Sequence, residues 1–187
     1  LLDVPASKLA VTPYGVDPIF HAEVAPAAVE AVLQRRGLPR RAILYVGSDD
    51  PRKNLRTLAA AYLGLTSHRR GLAPLVLVGP GSHWAQGGTI SGPQIRATGY
   101  LSPRDLRALM AASSLLVLPS LEERFGLPVA EAMTTGLPVV CSRGSALEEI
   151  AGDAALLVDP RERRSIASGI ERVLDDHAFA ETLRRKG

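Results

Sequence analysis

Along the chain, short unbroken apolar runs alternate with stretches in which apolar residues recur every three or four positions. "AILYVG", "PLVLVG", "LLVLPS", "LPVVCS" and "AALLVDP" are continuous apolar runs bounded by Gly, Pro or Ser, and "QIRATGY" is a shorter, more polar one. Between them, "APAAVEAVLQRRGLP" carries Ala27, Val29, Val32 and Leu33 at helical spacing and stops at Gly37 and Pro39. "NLRTLAAAYLGL" places Leu55, Leu58, Ala59 and Tyr62 on one side. "SPRDLRALMAAS" opens with Ser102 as N-cap, Pro103 as first helical residue and Asp105 placed to return a capping contact. "PVAEAMTTG" and "SALEEIAG" read as helices, the second with a capping box of Ser145 and Glu148. "RERRSIASGIERVLDD" is a long last helix, and the tail to Gly187 is expected to be helical too. The leading "KLAVTPYGVDPIF" reads as a strand running into a loop.

Strands that are apolar throughout and alternate with helices are those of a parallel sheet covered on both faces. The expected fold class is therefore α/β: a Rossmann-like, doubly wound parallel sheet of about six strands. Ligands of such sheets sit outside the carboxyl ends of the strands. "GSDDPRKN", "GPGSHW", "TGYLS" and "PSLEERFG" all lie there, although any strand-to-helix loop is rich in Gly and polar residues.

Composition narrows the class without naming a chemistry. The 187 residues suffice for one domain with a substantial core, and 46% hydrophobic with 22% charged residues is ordinary for a globular protein. The net charge is only +3, with no Lys/Arg block dense enough for a nucleic-acid tail. One cysteine, Cys141, excludes an internal disulfide, suits a reducing, cytoplasmic setting and reads as a small buried residue. No apolar run approaches the roughly 20 residues that span a bilayer, and the four histidines lack metal-ligand spacing. His83 and Trp84 lie in the loop after the second run, where Trp84 either packs partly buried or touches the planar ring of a ligand. The chain opens on Leu1 without a signal-like segment and looks like a piece of something longer.

Two loops carry candidate chemistry. In "GSDDPRKN", Gly47 permits close backbone approach, and Pro51 is expected to open a helix with Arg52 and Lys53 in its first turn. Exposed cations there are disfavoured by the helix dipole by about 0.3–1 kcal/mol each. Either they prepare an anion site or Asp49 and Asp50 neutralise them. In "LEERFGLPVAE", Gly126 breaks the backbone, Leu127 is the expected N-cap, Pro128 begins the helix and Glu131 falls in its first turn. Glu123 then lies in the loop, and both acids reach one crevice from different directions. The free amides of Phe125, Gly126 and Leu127 lie between them. Carboxylates accept from sugar hydroxyls and free amides donate to phosphate. The alternative is that Glu131 only complements the dipole and Glu123 is solvated.

"PSLEERFGLPVAEAMTTGLPVVCS", with two Glu residues separated by seven others, resembles the donor-binding signature of the group one retaining glycosyltransferases. "AILYVGSDDPRKNLRTLAAAY" is similar to that family's phosphate loop, and "VTPYGVDPIF" to the segment leading into its C-terminal domain. The resemblance implies the C-terminal, nucleotide-sugar-binding half of a two-domain, B-type fold. Residues 1–187 would form one donor-binding domain, with 1–22 leading in and 40–176 as core, and the N-terminal acceptor domain absent. It implies that Lys53, with Arg52, binds the diphosphate, Glu123 the hexose hydroxyls and Glu131 the ribose. The backbone of Phe125, Gly126 and Leu127 would contact sugar and phosphates, and that of Tyr100 and Leu101 would frame the base. Lys53 and Glu123 would be catalytic, with no metal and no cofactor beyond the nucleotide-sugar donor. Positive residues and amide dipoles would stabilise the leaving phosphate. Partners would be the nucleotide sugar and the N-terminal domain, with no nucleic acid and membrane association only through that missing domain. The chain alone is expected to bind donor weakly and transfer nothing.

Two departures stand out. Ser48 replaces an arginine frequent in the family, and Arg124 a glycine. Arg52 is expected to substitute for the missing arginine, and Arg124 either contacts phosphate or points to solvent and leaves the site unchanged. "PRKN" leans the donor towards GDP-mannose rather than a UDP-hexose. The alternatives are a nucleotide-sugar epimerase- or phosphorylase-like domain, and a degenerate, non-enzymatic scaffold of the same fold.

Overall fold

The computed structural model describes residues 5–10, 12, 14–80, 90, 92 and 94–187. Six strands, β1 (Ile43–Val46), β2 (Leu75–Val78), β3 (Ile95–Gly99), β4 (Leu115–Leu118), β5 (Val139–Ser142) and β6 (Leu156–Val158), form one sheet in the order β3-β2-β1-β4-β5-β6. Every pairing is parallel, with Ile43 opposite Leu75 on one side and Leu115 on the other. Ile43, Leu44, Leu75, Leu77, Leu115, Leu116 and Leu118 are wholly buried, so both faces of this central trio are covered, with only Val46 at the end of β1 partly buried. That is why these strands are apolar at successive positions rather than at alternate ones.

The helices are α1 (Pro26–Arg36), α2 (Leu55–Leu63), α3 (Ser67–Leu72), α4 (Pro103–Ala112), α5 (Leu127–Thr134), α6 (Ala146–Ala151), α7 (Arg163–Asp175) and α8 (His177–Lys186). α1 packs against α4 and α5 against α6, while α2 packs against α7. The winding reverses between β1 and β4, because β2 and β3 extend one way from β1 and β4 to β6 the other. The two halves diverge at that switch point and leave a crevice at the carboxyl ends of β1 and β4.

Several local expectations shift. Residues 5–17 hold a 3₁₀ turn (Ala6–Lys8) and no strand among those described, and Leu9 is exposed. Ser102 does cap α4, accepting from the Asp105 amide at 3.2 Å. The Asp105 carboxylate, however, turns to Arg35 (2.7 Å) and Arg36 (2.9 Å) on α1. Two guanidinium donors outbid one peptide N–H. Burial alone would raise its pKa, but these hydrogen bonds prevail and hold it below the ordinary value. Ser145 caps α6, whereas Glu148 reaches back one residue further than expected and accepts from the Gly144 amide at 2.7 Å. His83 and Trp84 lie outside the described residues.

Candidate functional site

The loop after β1 folds as an anchored arch. The Tyr45 hydroxyl donates to the Ser48 carbonyl at 2.6 Å, and burial, with Glu123 nearby, pushes that hydroxyl's pKa well above its ordinary value. Gly47 and Gly79 bring the loops after β1 and β2 together. A Cβ on Gly79, whose φ is +135°, would stand 2.0 Å from the Gly47 carbonyl oxygen. Pro51 opens a 3₁₀ turn (Pro51–Lys53) rather than the long helix, because Asn54 follows in the left-handed region with φ 58° and breaks the continuity. Arg52 and Lys53 are therefore not in the first turn of α2, and the dipole penalty does not fall on them.

Asn54 is the residue that sequence reasoning missed. It is buried, and its side-chain amide donates to the Pro119 carbonyl (2.9 Å) and the Pro160 carbonyl (2.6 Å), while its oxygen accepts from Thr57 (2.6 Å). One side chain thus ties the loop after β1 to those after β4 and β6. A readable signal was there: Asn is the non-glycine residue that most readily takes a left-handed position between two helical turns. A second tie is backbone, from the Leu121 amide to the Arg52 carbonyl at 2.7 Å.

These ties bring Lys53 and Glu123, 70 residues apart, into an ion pair of 2.5 Å across the switch point. The Ser120 hydroxyl lies 3.4 Å from the same Glu123 oxygen, and Ser120 is itself fixed through its carbonyl, which accepts from Ser142. Glu123 is 12% exposed and Lys53 26%, so the pair stands at the cleft wall rather than in bulk water. The cleft encloses about 640 Å³ and is lined by Arg52, Lys53, Leu121, Glu122, Glu123, Arg124, Gly144 and Ser145. Gly144 and Ser145 follow β5, and the strand-end rule that flagged the other loops applies equally to them.

Arg52 lies at the cleft but is taken by Asp50: Nε to Oδ1 at 3.1 Å and Nη2 to Oδ2 at 2.7 Å. The guanidinium holds the Asp50 carboxyl down at about 2. Neutralisation by the neighbouring aspartate is therefore what the structure contains for Arg52. Arg124 is exposed along the cleft, and Ser48 supports the arch through its carbonyl.

Helix α5 begins at Leu127, one residue earlier than expected, with Gly126 rather than Leu127 as N-cap at φ 102°. A Cβ there would stand 2.2 Å from Leu147 Cδ2, so only glycine fits the turn. Gly126 has no side chain to offer, so the helix starts without a side-chain cap; Pro128 has no N–H, and the Val129 amide donates to the Gly126 carbonyl at 2.9 Å. Glu131 consequently sits a full turn into the helix, not in its first turn. It is half-buried and does not line the cleft with Glu123; burial first, then the nearby Asp17, raises its carboxyl pKa. Residues 14–22 reach this side of the site. The Tyr14 ring meets the Phe125 ring edge-on at 5.3 Å, and Arg107 holds the Phe20 and Ala22 carbonyls at 3.1 and 2.8 Å. Tyr100 is exposed and Leu101 buried at the end of β3, two strands away, and neither lines the cleft. Cys141 is buried in β5, where desolvation pushes its thiol to about 12, far from nucleophilic use.

Fold and site together define a doubly wound α/β domain with a charged cleft at its switch point. The family described as "Glycosyl transferases group 1" matches residues 40–176, and the chain belongs to it. Over 195 aligned residues it is 36% identical to O-antigen chain mannosyltransferase B of Escherichia coli, covering 100% of this chain and 51% of that protein. Among solved structures, WaaG, a glycosyltransferase involved in lipopolysaccharide biosynthesis, matches with a TM-score of 0.80 at 23% identity, over 97% of this chain and 52% of that one. HepE of Anabaena, in complex with UDP and glucose, matches with a TM-score of 0.75 at 21% identity, over 92% and 49%. These two structural likenesses establish the fold. The chain spans about half the length of each of these three relatives.

Proposed function

We propose that this chain is the donor-binding, C-terminal half of a retaining hexosyltransferase that takes a nucleotide-diphosphate sugar. The observation that carries this reading is the Lys53–Glu123 pair facing a polar cleft at the switch point. An ammonium and a carboxylate side by side suit a ligand that is anionic at one end and rich in hydroxyls at the other. Lys53 would take the diphosphate and Glu123 the hexose hydroxyls, each giving up part of its present partner. The backbone from Phe125 to Leu127, at a helix N-terminus with no side-chain cap, would add donors for phosphate oxygens. Glu131, half-buried and raised in pKa, would accept ribose hydroxyls as the ligand extends along α5.

In the transfer step the bond between the sugar's anomeric carbon and the diphosphate breaks, that carbon bonds to the acceptor's nucleophilic atom, which gives up its proton, and the leaving oxygen gains negative charge. Lys53 and the helix amides stabilise that charge in place, which is where such a site contributes most to rate. An N-terminal acceptor domain would close over the cleft. Tyr14, Leu121 and Leu127 are exposed around the rim and supply apolar surface for that closure. Similarity to a protein named a mannosyltransferase leans our reading towards a mannosyl donor such as GDP-mannose, while the complex of HepE with UDP and glucose keeps a UDP-hexose in view. Among the described residues no helix is long and apolar enough to cross a membrane. A cytoplasmic setting is part of the proposal and rests on the nucleotide-sugar donor, not on that absence.

The test is a thermal-shift screen against GDP-mannose, UDP-glucose, UDP-galactose and the free nucleotides. A ligand at 10 times its Kd adds about 1.4 kcal/mol of stability. One nucleotide class should raise the midpoint selectively. If no nucleotide or nucleotide sugar raises it, the donor-binding reading falls and a scaffold role takes its place.

A further inference from the structure

Three cations line the switch-point cleft, and they are not equivalent. Arg52 is held by Asp50 through two side-chain hydrogen bonds, with its own amide also on Asp50 Oδ1 at 2.9 Å. Lys53 is held by Glu123 at 2.5 Å. Arg124 is exposed and makes no hydrogen bond or ion pair with a described residue. Its backbone is nonetheless well fixed, between Glu123, anchored on Lys53, and Phe125, seated against Tyr14. A free guanidinium on a fixed stem presents a planar fork suited to a phosphate's oxygens. Recruiting Arg52 instead would break two charge-assisted hydrogen bonds and leave Asp50 facing the incoming anion.

We propose that Arg124 is the residue that captures the outer phosphate of the diphosphate, and that Arg52 serves as a brace for the loop rather than as a ligand contact. This rests on the reading of the cleft as a diphosphate site. Lys53 remains the inner contact, reached as its bond to Glu123 is shared with the ligand. The loop after β4 then supplies charge to both ends of the donor: Glu123 to the sugar and Arg124 to the phosphates.

The test is isothermal titration of the chain with GDP and with UDP, using wild type, Arg124→Gln, Arg124→Lys and Arg52→Gln. Arg124→Gln should weaken binding of the nucleoside diphosphate that binds wild type by about tenfold to a hundredfold, the range for a hydrogen bond to a charged group. It should also flatten the salt dependence. Arg124→Lys should recover part of the affinity and all of the salt dependence, because charge returns without the fork. Arg52→Gln should change Kd by no more than about threefold, as for an exposed pair. Arg124 is exposed, so melting curves of its variants should overlay wild type and exclude misfolding. If Arg52→Gln weakens binding as much as Arg124→Gln, or if Arg124→Gln leaves Kd unchanged, the assignment is wrong while the diphosphate reading survives. If wild type binds neither GDP nor UDP, both fall.

Discussion

Replacing Glu123 with glutamine separates the two tasks assigned to the Lys53–Glu123 pair. In this structure the Lys53 ammonium is bound to Glu123 at 2.5 Å. A phosphate sharing that ammonium would lie about 5 Å from the carboxylate, where like charges repel by about 3 kcal/mol at an effective dielectric near 20 and about 1 kcal/mol in water. Removing the Glu123 charge removes that repulsion and frees Lys53. Glu123→Gln should therefore bind a free nucleoside diphosphate about tenfold to a hundredfold more tightly than wild type. The nucleotide sugar gains less, because a carboxylate's hydrogen bonds to hydroxyls are roughly twice as strong as those of a neutral amide. The preference for nucleotide sugar over free diphosphate should thus fall even as absolute affinity rises. The folded state should lose about 1 kcal/mol, the upper end for a surface pair, since Glu123 is 12% and Lys53 26% exposed. Calorimetric titration of both ligands at two salt concentrations reads the affinities, and urea unfolding reads the loss of stability. If the variant binds the free diphosphate more weakly, or shifts both ligands alike, the division of labour between these two residues is wrong.

Asn54→Ala should lower stability by about 3–5 kcal/mol, since it strands two buried carbonyls and strains a left-handed backbone; Asn54→Gly, which relieves the strain alone, should recover about 1 kcal/mol of it. Urea midpoints check this, and equal losses for the two variants would refute the backbone part. Glu131, raised above its ordinary 4.5 by burial and Asp17, predicts a pH dependence. Below 4.5 the carboxyl is protonated in both the folded and the unfolded chain. As pH rises from there through the raised folded value, the unfolded chain ionises first and stability falls. Glu131→Gln should therefore stabilise at pH 7 and not at pH 4, and an equal effect at both pH values in thermal melts would refute the assignment.

Much of the layout is local and was legible. Unbroken runs such as "LLVL" and "LVLV" state that both strand faces are buried, and helical spacing at Leu55, Leu58, Ala59 and Tyr62 states which face turns inward. Ser102 and Ser145 mark helix starts because a cap is a contact over two or three residues. Errors arose where a competing partner came from far along the chain. Asp105 faces Arg35 and Arg36 instead of its own helix end, a pairing that no local reading of its helix contains.

The site shows the same boundary. By itself the sequence determined which residue types stand at the strand ends, because turns and helix starts need Gly, Pro and polar side chains within a few positions. Only the tertiary structure decided how they are shared. Strand order places β1 beside β4, so Lys53 meets Glu123 across 70 residues, while Arg52 is spent on Asp50 and Arg124 is left free among the described residues. Charges choose partners by distance in space, and that distance exists only once the sheet has brought its strand ends together.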